Sequence, residues 1–122
     1  MAGESIAQAE IRLAAPGRNM RLWRNNVGVL LDLTGRPVRY GLANESRQLN
    51  TKLKSGDLIG WERVTITPDM VGKTIARFVS IECKPAGWTY RGDPHESAQK
   101  TWADLVTSDG GLGIFATGRR DL

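Results

Sequence analysis

Two carboxylates and a lysine carry the first chemical signal in this 122-residue sequence. Glu82-Cys83-Lys84 closes an alternating run that predicts a strand over Arg77–Lys84, and a strand places residues two apart on the same face. Glu82 and Lys84 therefore share a face with Phe78 and Ser80, while Val79, Ile81 and Cys83 take the other. Asp57 stands at the mouth of a second predicted strand, Asp57-Leu58-Ile59-Gly60-Trp61, which continues through Val64 and Ile66. If the two strands pair, both carboxylates come within reach of one ion. Mg2+ prefers octahedral oxygen ligands and is typically held by one or two carboxylates, with substrate phosphate and water in the remaining positions. Asp57, Glu82 and the backbone carbonyl of Cys83 offer such oxygens to Mg2+ or Mn2+. An ion placed there polarises a phosphodiester and helps generate hydroxide, and Lys84 orients the water or steadies the developing negative charge.

The composition narrows the setting of that chemistry. Hydrophobic residues at 40% and charged residues at 25% suit one globular domain over residues 1–122. Cys83 and His95 are the sole cysteine and histidine, which excludes an internal disulfide, the Cys/His zinc sets and any catalysis requiring two histidines. A reducing compartment is expected. No apolar run approaches the roughly 20 residues of a membrane span, and Met1-Ala2-Gly3-Glu4-Ser5 lacks the pattern of a secretory signal. The expectation is a cytoplasmic protein without a membrane partner. The net charge of +4 is unevenly placed. Arg12, Arg18, Arg21, Arg24, Arg36, Arg39, Arg47, Lys52 and Lys54 stand against only Asp32 and Glu45 between Ile11 and Gly56. An arginine-dominated block suits phosphate oxygens and points to a polyanion such as nucleic acid, although a solvated basic surface has the same composition.

The elements that must hold these residues are legible in outline. Ile6, Ala9 and Leu13 recur at helical spacing over Ser5–Ala15 before Pro16-Gly17, with Glu10 on the same stripe, pointing inward or along its edge. Leu22–Leu33 reads as a strand ended by Thr34-Gly35-Arg36-Pro37, and Arg39–Lys54 as an exposed, loop-rich stretch. Thr67-Pro68-Asp69 is a turn. After Pro85-Ala86-Gly87 a helix is announced by Asp93 at its N-cap, Pro94 in the first turn and Glu96 at the capping-box position. It runs to about Ser108 with Trp102, Ala103, Leu105 and Val106 as its apolar stripe, Gly110-Gly111 as its stop, and a last strand at Gly113–Ala116. The order, αβββαβ, describes an α/β fold with a small mixed sheet flanked by helices.

The Asp57 and Glu82-Cys83-Lys84 pattern resembles the PD-(D/E)XK nuclease superfamily. With Arg24-Asn25-Asn26-Val27-Gly28, Gly56-Asp57-Leu58-Ile59-Gly60, Phe78-Val79-Ser80-Ile81-Glu82-Cys83-Lys84 and Gln99 in that order, nearly the whole chain is similar to the VRR-NUC family, the virus-type replication-repair nucleases. The resemblance implies a restriction-endonuclease-like core and metal-dependent cleavage of branched DNA, four-way (Holliday) junctions above all, by a homodimer. It implies metal on Asp57 and Glu82, Lys84 assisting the nucleophile, Glu10 as an upstream acid and metal ligand, and Gln99 lining the site. Gly56 departs from the family's proline, and the literal Pro68-Asp69 is a rival. Asp57 is preferred because it opens a buried-looking run, whereas an aspartate in a Thr-Pro-Asp turn is ordinary.

Arg24, Arg36, Arg39, Lys52, Lys54 and Arg91 are the expected DNA contacts. His95, in the first helical turn, reads as a surface residue. Trp23, Trp61, Trp88 and Trp102 read as core or interface, with Trp88 and Tyr90 able to touch DNA from the loop after Lys84. Two other activities remain open at this stage: processing of flaps or nicks, and a DNA-binding or assembly module that does not cleave.

Overall fold

In a computed structural model the backbone is described over residues 2–122, so Met1, which opens the expected 1–122 domain, lies outside the described residues. The fold is mixed α/β, with three α-helices, three two-stranded sheets and short 3-10 turns among the described residues. It divides into two compact units, one ending at Glu62 and the other spanning Arg63–Leu122.

In the first unit, α1 (Ala2–Ala14) leads through a 3-10 turn at Ala15–Arg18 into β1 (Met20–Arg24). β2 (Gly28–Leu31), β3 (Pro37–Tyr40), α2 (Arg47–Lys52) and β4 (Leu58–Glu62) follow. β1 and β4 pair antiparallel, with Leu22 opposite Gly60 and Arg24 opposite Leu58. The stripe of α1 does not pack inward as the spacing suggests: Ile6 is 61% and Leu13 84% exposed, and Glu10 is exposed with them. Two large apolar residues separated by a carboxylate give the helix little area to bury.

The strand expected over Leu22–Leu33 is two strands, interrupted at Asn25-Asn26-Val27, where the Asn25 side chain bonds to Ser55, Gly56 and the Leu42 amide. The stretch expected to be loop-rich instead holds β3 and α2. β3 completes an antiparallel hairpin with β2, Leu30 facing Val38, and its Pro37 occupies the first strand position, where a missing N–H is tolerated. Ser46 caps α2, its hydroxyl accepting from the Leu49 amide at 3.1 Å.

In the second unit, β5 (Val79–Cys83), α3 (Pro94–Ser108) and β6 (Leu112–Ala116) form a βαβ crossover with β5 and β6 parallel. Residues 63–67, expected to continue the strand through Ile66, are irregular, and a 3-10 turn at Pro68–Met70 follows. The α3 signals act as read: Asp93 Oδ1 accepts from the Glu96 amide at 2.8 Å and Pro94 occupies the first turn. At the other end Gly110 takes φ +99°, a conformation that favours glycine, and the Gly111 amide donates to Val106 O at 2.9 Å. Val106 is 1% exposed and Ala116 7%. Gly113 is where helix and strand touch: an added Cβ would lie 2.9 Å from Ala103 Cα.

Candidate functional site in the second unit

β5 alternates as its sequence requires, but its polar face is the sheltered one. Ser80 and Glu82 are half-buried beneath α3, whereas Val79, Ile81 and Cys83 are exposed. Glu82 sits opposite Phe115 in the β5–β6 register. A cavity of about 320 Å3 opens between strand and helix, lined by Ser80, Glu82, His95, Ala98, Gln99, Trp102, Ala103 and Ile114. His95, Gln99 and Trp102 recur at i, i+4 and i+7 on α3, so one helical face supplies all three. The Trp102 indole N–H donates to Ser80 Oγ at 2.7 Å, tying helix to strand within the cavity wall.

Lys84 extends the ladder one residue past β5, its amide donating to Ala116 O at 2.8 Å. Its Nζ donates to Gln99 Oε1 at 2.8 Å, and so joins the strand to the residue that also lines the cavity. The same Nζ lies 5.6 Å from the Trp88 ring centroid and 5.8 Å from that of Phe115, within cation–π range of both. Trp88 stacks on Phe115 at 5.0 Å and 25°, and Tyr90 closes the cluster at 6.1 Å from Phe115. Glu96 is only 5% exposed. Its Oε2 accepts from the Trp88 indole at 3.1 Å and its Oε1 from the Arg91 amide at 3.2 Å. A capping box would direct this carboxylate to the N-cap amide. Here it holds the preceding loop instead.

The second unit thus joins Glu82, Lys84 and Gln99 through one cavity and one hydrogen bond. His95 is exposed, as expected, and also lines the mouth of that cavity. The i, i+4 spacing to Gln99 was the available signal for His95, and the Glu96 clasp had none. Asp69 is exposed and accepts the Thr67 hydroxyl within its turn.

Asp57, Glu10 and the basic block belong to the first unit. Asp57 is exposed immediately before β4, and its carbonyl accepts the Asn25 amide at 2.8 Å. Asn25 is a hub: its Nδ2 donates to Ser55 Oγ at 2.7 Å and Gly56 O at 2.9 Å, and its Oδ1 accepts the Leu42 amide at 3.1 Å. The Asn-containing and Gly-Asp motifs, separate in the sequence, are one hydrogen-bonded corner. β4 takes β1 as its partner and β5 takes β6, in place of the direct pairing expected of the Asp57 and Glu82 strands. A connection through α3 brings β6 beside β5, and alternation within single strands carries no information about such partners.

Arg24, Arg36, Lys52, Lys54 and Arg91 are exposed. Arg39 departs from the expected phosphate contact: it is half-buried, with Nε donating to Asn44 O at 2.9 Å and Nη2 to Asn44 Oδ1 at 2.8 Å. Asn44, 2% exposed, in turn donates to Gly28 O and Tyr40 O. A buried amide needs those partners, so Arg39 is drawn into the hairpin's own network.

No group of three or more His, Cys, Asp or Glu side chains is arranged to hold a metal ion among the described residues. In the second unit Glu82 alone offers a carboxylate beside the cavity, so Mg2+ there would need substrate phosphate and water in its other positions. No helix among the described residues is long and apolar enough to cross a membrane. In comparisons with known proteins, the chain matches no family model, no curated protein and no solved structure.

Proposed function

We propose that the chain is a Mg2+- or Mn2+-dependent DNA endonuclease of the VRR-NUC type within the PD-(D/E)XK superfamily, acting as a homodimer on branched DNA and on four-way junctions above all. The observation that carries this reading is the pairing of Glu82, which lines an open cavity, with Lys84, whose ammonium is bonded to a second lining residue, Gln99. A carboxylate and an oriented ammonium two residues apart can hold a metal ion and steady the negative charge that develops on a phosphodiester.

In this reading Glu82 and the Cys83 carbonyl offer the ion oxygens from the second unit, and Asp57 and Glu10 are the acids that the family resemblance assigns in the first. When bound, the ion supplies Lewis-acid polarisation of the phosphodiester and a lower pKa for water. Lys84 donates toward the attacking water or the phosphate oxygen that gains charge. Gln99 fixes that ammonium, and no covalent enzyme intermediate is needed. The exposed arginines and lysines of residues 11–56 hold the DNA backbone.

Cleavage of labelled four-way junction, flap and linear duplex, with and without Mg2+, tests the reading. Metal-dependent cutting of the junction in preference to duplex is expected. Preference for the flap would favour the flap- or nick-processing alternative, and binding without cleavage under any metal would favour a non-catalytic module.

A further inference from the structure

We propose that Glu96 is a positioning residue for Lys84, acting through the loop that follows it. The lysine stem is long and flexible, and a single bond to Gln99 leaves its ammonium several rotamers. The faces of Trp88 and Phe115 restrict it further. Phe115 is fixed in β6, opposite Glu82. Trp88, by contrast, belongs to an irregular segment, and its ring is held against Phe115 by one polar anchor, the indole bond to Glu96. Glu96 is itself fixed by its place in the first turn of α3, where its amide bonds to Asp93. Each of its two carboxylate oxygens receives a donor from the loop, one from a side chain and one from the main chain. The clasp therefore runs from the start of α3 through Trp88 to the Lys84 ammonium. Its consequence for catalysis rests on the nuclease reading, whereas its effect on Lys84 does not.

Glu96→Gln keeps the volume but has one oxygen acceptor for two donors, so half of the clasp must open. Two readouts separate positioning from mere stability in variants that remain folded. The Lys84 ε-methylene protons, assigned by their loss in Lys84→Arg, should resonate away from the ordinary lysine position in the wild-type protein because the ammonium they carry lies 5.6 Å and 5.8 Å from two ring centroids. Glu96→Gln and Trp88→Leu should move them toward the ordinary lysine position. On cleavable DNA the same variants should lower kcat by roughly ten- to a hundredfold with KM nearly unchanged. Trp88→Phe, which keeps a ring but loses the indole anchor, should move the resonance and lower kcat in the same direction as Glu96→Gln. An unshifted Lys84 resonance in the wild-type protein, or an unchanged resonance and kcat in Glu96→Gln, would overturn the clasp. Wild-type protein with the shifted resonance but no cleavage would overturn the nuclease reading and the catalytic consequence with it, while the clasp on Lys84 stood.

Discussion

Asp57 and Asp69 differ in what their surroundings require of them. Asp69 closes a turn by accepting the Thr67 hydroxyl, a local structural task. The Asp57 backbone is pinned to Asn25, and its side chain stands at the start of β4. If the proposed chemistry holds, Asp57→Asn and Glu82→Gln should each reduce cleavage by roughly a hundredfold or more, with DNA binding retained, because ligand charge is lost while the basic surface remains. Asp69→Asn should leave cleavage within about threefold of wild type, as an exposed turn substitution; the reverse pattern would assign the metal to Asp69. Asp32 offers a test of the hairpin itself. The Thr34 hydroxyl, followed by the Arg36 amide, holds its carboxyl below the usual aspartate value. A depressed folded-state pKa means that the turn's contribution is present above the ordinary value and is lost as pH falls through the depressed one. The Thr34 and Arg36 amide resonances should therefore titrate together below the ordinary aspartate value, and Asp32→Ala should abolish that transition.

Among the elements, β5, α3 and β6 could be read from the sequence because each carries its own punctuation: strict alternation before Pro85, an N-cap followed by proline, and a double glycine before the last strand. β3 and α2 could not, since Pro37 and the basic Arg39–Lys54 stretch carry loop-like composition and are organised by Asn44, Ser46 and the Asp32 turn. Strand partners were beyond reach for a related reason. Alternation tells which face a residue takes, not which ladder it joins, so the Glu82–Lys84 face was legible and its covering by α3 was not. The close approach of α3 to β6 at Gly113 gives the matching test. Gly113→Ala places a methyl against the Ala103 backbone and should cost about 1–3 kcal/mol in urea denaturation. Gly118→Ala, with nothing within 4 Å of the added atom, should shift stability by less than about 0.5 kcal/mol.

At the scale of the whole molecule, the proposal makes demands on charge and on stoichiometry. Exposed basic residues that track phosphates should make affinity fall with salt at a log-log slope of about −0.9 for each phosphate neutralised on duplex DNA. Lys52→Ala/Lys54→Ala should flatten that slope, whereas Arg39→Ala, already committed to Asn44, should weaken the hairpin more than the DNA contact. Stoichiometry follows from the substrate. A four-way junction presents two symmetry-related strands, and each chain carries one Glu82/Lys84 pair, so two coordinated cuts require two chains, related most simply by a two-fold axis. A stable homodimer burying at least about 1,200 Å2 is therefore expected. In a cruciform plasmid assay the wild-type dimer should make both cuts within one binding event and release linear product directly. A heterodimer with one Glu82→Gln subunit should instead accumulate nicked circle, because one site remains while the other is silent. A protein that is monomeric both in solution and on DNA, or a half-silenced heterodimer that yields as much linear product as the wild type, would remove the paired-site mechanism and leave single-strand nicking or flap cleavage as the activity.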